Sequence, residues 1–359
     1  MIKRNILLLG SYGRGNIGDD AFLVALMRLF DKYHVTINSS DDSLLPNEVK
    51  NRVKTIPTNM NLIMTVKAII AADFIVYGGG DLWVELKGDK MPRQSLWKMV
   101  IMNLLARLCG KKVFYIGCGA GDLSNFSLFL ARLSAKLANG TIIRDKDTLK
   151  LLNLKGIYLP DLTINLIDDE IKRMRKSSKT LVAMSLLYYI PNPSENYSKL
   201  LDAFEKLCKS LDSDRFEIIL IPMLLADADS HNDKIVAKEL KNRLSQNNIS
   251  IFKGNDIKDL QVLLNDIDLM VGVRLHANIL STWSGKPSLG VAYRPKVARF
   301  FELNNLSDNY IEMKDLYGLS EKFWKMFNQL EIQNIRIAEV KMSNSSRKAE
   351  YEKFVFKNF

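Results

Sequence analysis

Residues 7–30 read LLLGSYGRGNIGDDAFLVALMRLF: a short apolar run, a turn holding Gly10, Gly13, Gly15 and Gly18, and an apolar periodic segment that opens on Asp19 and Asp20. A strand that passes through glycines into an amphipathic helix is the first step of an α/β unit. Gly13, Gly15 and Gly18 match the G-x-G-x-x-G spacing of a dinucleotide turn. In that fingerprint, however, the strand leads almost directly into the first glycine, and pyrophosphate sits over the helix N-terminus. Here Ser11 and Tyr12 intervene, and two carboxylates occupy the place where phosphate would need a positive field. Asp41 and Asp42, after the second strand, could stand in for the acid that binds an adenosine ribose, so the dinucleotide reading stays open. A plain tight turn with Asp19 as N-cap explains much of the pattern, but not the number of glycines.

Working outward, strands are expected at 5–9, 34–38, 74–77, 112–117 and 141–144, with helices at 19–32, 60–72, 92–109 and 125–138. A second series of strands follows at 180–186, 216–222, 249–252, 268–273 and 288–293. Alternation of this kind predicts parallel sheets, and 359 residues exceed what one core usually holds. The charged, apolar-poor stretch 166–180 reads as a linker. The expected domains are 1–168 and 178–314, followed by a helical segment over 315–359. In doubly wound domains ligands sit at the carboxyl ends of strands, here expected at a cleft between the two.

The hydrophobic fraction of 47% and the charged fraction of 25% are those of a globular protein. Cys109, Cys118 and Cys208 are widely spaced and suggest neither a disulfide framework nor a zinc site, so no metal is expected and a reducing cytoplasm fits best. The apolar run at the N-terminus is too short for a signal peptide. The segment 96–110, LWKMVIMNLLARLCG, reads as a packed helix, with an interfacial membrane helix as the alternative. The net charge of +11 suits phosphorylated substrates, acidic glycans or anionic membrane surfaces, and equally a lysine-rich background. No nucleic-acid-binding motif accompanies it.

Five stretches, in order, carry a resemblance: GSYGRGNIGDDAFL, FIVYGGGDLW, YIGCGAGDLS, IIRDKDTLKLL and LMVGVRLHANILSTWSGKPSLGVAYRPKV. Together they resemble the polysaccharide pyruvyl transferase family over residues 10 to about 297, and the last stretch is the most specific. The resemblance implies two Rossmann-like doubly wound α/β domains facing a cleft, arranged as in GT-B glycosyltransferases. It also implies pyruvyl transfer from phosphoenolpyruvate to two hydroxyls of a sugar in a cell-surface glycan or its precursor.

Arg274 and His276 stand where an apolar strand hands over to a helix. Arg offers a fork of donors for carboxylate or phosphate, and the helix start adds N–H groups. The residue-level alternative for His276 is a structural histidine packing on that turn; His34 and His231 lack such a context. The resemblance gives Arg274 and His276 roles in catalysis and phosphoenolpyruvate binding. It makes Arg144 a second cation for that donor, reaching across the cleft, where the residues alone allow a surface ion pair with Asp145. Lys296 is a third cation, or else an exposed lysine at a helix start.

Glycine turns at Gly13, Gly15 and Gly18 with Asn16 and Asp19, at Gly78, Gly79 and Gly80 with Asp81, and at Gly119 would line the cleft and its acceptor side; the turn of Gly117, Gly119 and Gly121 reads otherwise as a simple close turn. Asp81 would orient an acceptor hydroxyl or cap a helix. Trp83 and Trp97 are read as ordinary packed aromatics rather than sugar platforms. The chain departs from the family pattern at Asp122, after Asp161, and at Thr148. The implied chemistry needs no cofactor. A lipid-linked acceptor at the inner face of the membrane fits the basic charge. The rivals are a nucleotide-sugar GT-B glycosyltransferase and a non-catalytic glycan-binding relative.

Overall fold

A computed structural model describes residues 3–85, 92–166, 177–188, 193–225, 232–244, 247–254 and 256–359. Most of the expected linker, 167–176, and His231 lie outside them. The chain divides into two compact units: Met1–Arg14, Asp19–Asn165 and Arg347–Phe359 form the first, and Gly15–Gly18 with Leu166–Ser346 the second.

The first unit runs β1 (Asn5–Leu9), α1 (Ile17–Leu29), β2 (His34–Ser39), α2 (Asn47–Lys50), β3 (Val53–Pro57), α3 (Leu62–Ala71), β4 (Phe74–Gly78), β5 (Asp81–Trp83), α4 (Pro92–Leu108), β6 (Lys112–Ala120), α5 (Asn125–Lys136), β7 (Gly140–Ile143), α6 (Lys146–Leu152) and β8 (Ile157–Tyr158). Its sheet has the order β3-β2-β1-β4-β6-β7-β8, with β5 paired to β6, and every pairing is parallel. The central strands β4 and β6 are almost wholly buried because helices cover both faces, so they read as continuous apolar runs without alternation.

The second unit runs β9 (Thr180–Ser185), α7 (Pro193–Ser210), β10 (Phe216–Leu220), α8 (Asp233–Arg243), β11 (Ile249–Ile251), α9 (Ile257–Asp266), β12 (Leu269–Gly272), α10 (Leu275–Trp283), β13 (Ser288–Ala292), α11 (Pro295–Leu303), β14 (Tyr310–Glu312), α12 (Leu319–Phe327) and α13 (Leu330–Ser345). Its parallel sheet has the order β11-β10-β9-β12-β13-β14. That is the doubly wound order, and it reverses direction between β9 and β12 as the first sheet does between β1 and β4. The two reversals mark where each unit is expected to hold a ligand.

The helical segment expected from 315 onward divides between the units. Its last helix, α14 (Lys348–Asn358), belongs with the first, where Tyr351 Oη donates to Pro160 O at 2.7 Å and Arg347 Nη2 to Tyr158 O at 2.5 Å. All three cysteines are free thiols. Among the described residues no helix is long and apolar enough to cross a membrane.

Candidate functional site

In the second unit the chain leaves β12 at Gly272 and enters α10 three residues later. Val273 N donates to Ser185 O at 2.8 Å, while Asn278 Nδ2 donates to Gly272 O at 2.8 Å and to Arg274 O at 3.2 Å, which fixes the turn. A Cβ on Gly272 would lie 2.6 Å from Asn278 Oδ1, so only glycine fits the strand end. Arg274 is the N-cap residue of α10 and provides no side-chain cap. A helix start without a side-chain cap leaves backbone donors for an anion.

The Arg274 guanidinium is held from the other side. Its Nε and Nη2 donate to Asp233 Oδ2 and Oδ1 at 2.9 and 2.7 Å. Asp233 is 1% exposed and accepts in addition from Leu224 N at 3.0 Å and Tyr188 N at 3.3 Å. A two-bond carboxylate grip fixes the plane of the guanidinium, and it uses two of five N–H donors. Asp233 was not foreseen, since an aspartate at the start of a helix reads first as a favourable dipole partner.

His276 is the second residue of α10 and is half-buried. A Cβ built on Gly18 would come within 2.3 Å of His276 Nδ1, so the imidazole packs directly against the glycine turn. The turn joins this unit through backbone bonds: Ile17 N to Met223 O at 2.9 Å, Leu225 N to Gly15 O at 2.7 Å, and an antiparallel bridge between Asn16 and Leu224. Gly13 and Gly15 have φ of +67° and +64°, a region that favours glycine. Helix α1 starts at Ile17, earlier than expected. Its preceding residue, Asn16, accepts from Gly18 N at 3.1 Å, so Asp19 is not the N-cap but part of the first turn.

Lys296 follows Pro295 at the start of α11, whose N-cap Arg294 also makes no side-chain cap. Because β12 and β13 are adjacent parallel strands, α10 and α11 both begin at the carboxyl edge of the same sheet. Arg294 was passed over in YRPKV, although its position relative to β13 repeats that of Arg274 relative to β12.

In the first unit Tyr12 answers the dinucleotide question. It is 1% exposed and donates to Gly78 O at 3.0 Å, with its ring against Gly10 and Gly78. The aromatic ring therefore fills the switch point where a pyrophosphate would rest. Asp41 caps a local turn through Ser43 N, at 2.8 Å, and Asp42 accepts from Thr55 Oγ1, so both carboxylates are used locally. Burial, and then repulsion from Asp19, pushes the Asp20 carboxyl up to about 8. Near neutral pH the Asp20 carboxyl is therefore biased toward its protonated form.

Gly79 lies against Phe22 as Gly78 does against Tyr12, whereas Gly80 faces open space. Beyond it Asp81 is paired to the Arg144 guanidinium. The Arg144 side chain is 8% exposed and has Asp161 Oδ2 at 3.9 Å from Nη1, with Asp145 beside it. Burial alone would lower the guanidinium pKa, but Asp81, Asp161 and Asp145 outweigh it and raise the value. Gly119 completes the cluster: a Cβ there would be 3.0 Å from Arg144 Nε and 3.2 Å from Asp81 Oδ1. Thr148, the departure from serine, keeps the hydroxyl contacts, donating to Asp145 Oδ2 at 2.9 Å and accepting from Ala120 N at 2.8 Å. Asp161 enters the sequence reading only as the residue after which the chain departs from the family pattern, and nothing near it in sequence signals its approach to Arg144. Among the described residues no group of three or more His, Cys, Asp or Glu is placed to hold a metal ion.

Two doubly wound α/β units define a GT-B-like fold, and solved structures agree on it. Similar ones include HepE from Anabaena in complex with UDP and glucose, with 13% identity, TM-score 0.65, and coverage of 99% of this chain and 98% of that one. A UDP-GlcNAc 2-epimerase from Neisseria meningitidis bound to UDP-GlcNAc has 12% identity, TM-score 0.61, and coverage of 99% and 100%. A glycosyltransferase from Rickettsia africae has 14% identity, TM-score 0.59, and coverage of 100% of both chains. No curated protein matches the sequence. The family model for polysaccharide pyruvyl transferase matches residues 16–295, and the chain belongs to that family.

Proposed function

We propose that the protein transfers a pyruvyl group from phosphoenolpyruvate to two hydroxyls of one sugar residue in a cell-surface glycan or its precursor, releasing inorganic phosphate and forming a cyclic ketal. The observation that carries this reading is the α10 turn in a member of this family: a helix start without a side-chain cap, a guanidinium held rigid by Asp233, and His276 seated on Gly18. Phosphoenolpyruvate is a small, highly charged anion, and backbone donors with Arg274, Lys296 and Arg294 supply what such a ligand needs.

The step is a proton gain at the methylene carbon and attack by a sugar hydroxyl on the adjacent carbon, with loss of the hydroxyl proton. The bond from that carbon to the phosphate oxygen then breaks, the phosphate leaves with the electron pair, and the second hydroxyl closes the ring as its own proton departs. Histidine suits such proton transfers near neutrality, as the acid toward carbon or the base toward the hydroxyl. Arginine donors would stabilise the charge gathering on phosphate. No cofactor or metal enters these steps.

Arg144 fits the donor less well than the sequence suggests. Three carboxylates surround it, and an incoming trianion would meet their repulsion. Its pairing suits the other substrate: Arg144 holds Asp81 in place, and Asp81 accepts a hydrogen bond from an acceptor hydroxyl.

The test is a thermal-shift titration with phosphoenolpyruvate, a nucleotide-sugar panel and NAD(H), repeated on Arg274→Ala. Stabilisation by phosphoenolpyruvate that the variant loses is the expected result. Stabilisation by a nucleotide sugar alone overturns the reading in favour of glycosyl transfer.

A further inference from the structure

Helices α3, α4 and α5 of the first unit all contribute to one core, through residues such as Ile69, Leu96, Val100, Ala106, Leu130 and Ala135. The expectation for 96–110 was a packed helix, and α4 packs by that side only. Its outer side is apolar as well. Trp97, Ile101, Leu104 and Leu108, spaced four, three and four residues apart, form an exposed stripe that reaches 83% exposure at Leu108.

The stripe does not stop at one helix. Trp97 meets Phe126 of α5 with ring centroids 6.1 Å apart, and Phe126 meets Phe129 at 6.5 Å; both phenyl rings are exposed. On α3, Leu62, Ile63 and Ile70 are exposed too. Isolated exposed apolar side chains are ordinary, but a stripe shared by packed helices is not.

The helices that carry it hold charges of one sign. Helices α3, α4 and α5 contain no Asp or Glu, and they carry the exposed Lys67, Lys98, Arg107, Arg132 and Lys136. The neighbouring acids are turned to local work: Asp73 accepts from Asn5 N at 2.8 Å and Glu85 from Ser124 N at 2.9 Å. A groove of about 750 Å³ beside α3, lined by Met64, Lys67, Ala68 and Ala71 with Arg52 and Lys54, also has no carboxylate in its walls.

We infer that this face docks on an anionic lipid bilayer, with Trp97, Ile101, Leu108 and Phe129 entering the headgroup boundary and the lysines meeting lipid phosphates. Exposed aromatic and aliphatic side chains on basic helices that carry no carboxylate are the chemistry of interfacial binding. A second copy of the chain is a poorer occupant, because two such faces would bring like charges together.

The test is flotation of the protein with phosphatidylcholine vesicles, with and without phosphatidylglycerol, alongside its tryptophan emission. Trp83 and Trp283 are buried and Trp324 is partly buried in the second unit, so the exposed Trp97 is the probe most open to lipid. The expected result is binding that requires the anionic lipid, weakens with salt and shifts emission to the blue. It should fall roughly tenfold in Ile101→Ser/Leu108→Ser and in Lys98→Glu/Lys136→Glu. Because these side chains are exposed, both variants should keep the thermal unfolding of the parent. Failure to float with anionic vesicles overturns the inference, as does equal binding to neutral ones. Concentration-dependent self-association abolished by the serine pair, without lipid binding, would assign the face to a protein contact instead.

Discussion

At Gly18 a methyl would overlap the imidazole on which the proposed chemistry depends. Gly18→Ala should cost about 1–3 kcal/mol of stability and most of the activity. The stability loss should largely vanish when His276→Ala is added, since the overlap then has no partner; a cost that stays the same in the double variant would place the strain elsewhere. Asp20 behaves differently. Its carboxyl titrates at 3.8 in an open chain and at about 8 when folded, so folding takes up a proton between those values. Its contribution is complete below the lower value and falls by at most roughly 1.4 kcal/mol per pH unit through the window; above about 8 it is gone. Asp20→Asn should flatten the decline of stability with rising pH and exceed the parent most at the alkaline end, measured by denaturant unfolding across that range.

At the scale of elements, α6 shows how a departure in sequence can preserve structure. Asp145 caps this helix by accepting from Thr148 N at 2.7 Å, while the Thr148 hydroxyl ties Asp145 to Ala120 N. Thr148→Ser should therefore be nearly neutral, and Thr148→Val should cost about 1–3 kcal/mol in thermal or denaturant unfolding by leaving a buried donor unmade. The long apolar strands were legible because burial on both faces leaves an unmistakable run. The strands β3, β5, β8 and β14 were not: VKTIP is a half-exposed edge with lysine and proline, and the others have only two or three residues. The candidate site divides along the same line. Arg274 and His276 were legible because they follow a buried strand directly, whereas Asp233 and Asp161 reach the arginines only through tertiary packing. Arg294 could have been found by comparing the two strand-to-helix turns with each other.

For the molecule as a whole, each unit holds an arginine at the carboxyl end of its sheet. The arginines differ in their surroundings. Arg274 stands at a helix start whose backbone donors have no side-chain cap and is matched by one buried carboxylate; Arg144 is enclosed by Asp81, Asp145 and Asp161. An anion should therefore choose the second unit. Hydrogen exchange reads this choice amide by amide. Phosphoenolpyruvate at about a hundred times its dissociation constant stabilises the bound form by roughly 2.7 kcal/mol, so amides that exchange only when the site opens should slow by as much as about a hundredfold. The protection is expected at the starts of α10 and α11, near His276 and Lys296, and not near Gly119 and Thr148. Arg274→Ala should abolish it, while Arg144→Lys should leave it intact and act on the acceptor's KM. Protection centred on Gly119 and Thr148 would return the donor to the Arg144 cluster, and no protection in either unit would remove phosphoenolpyruvate as the donor.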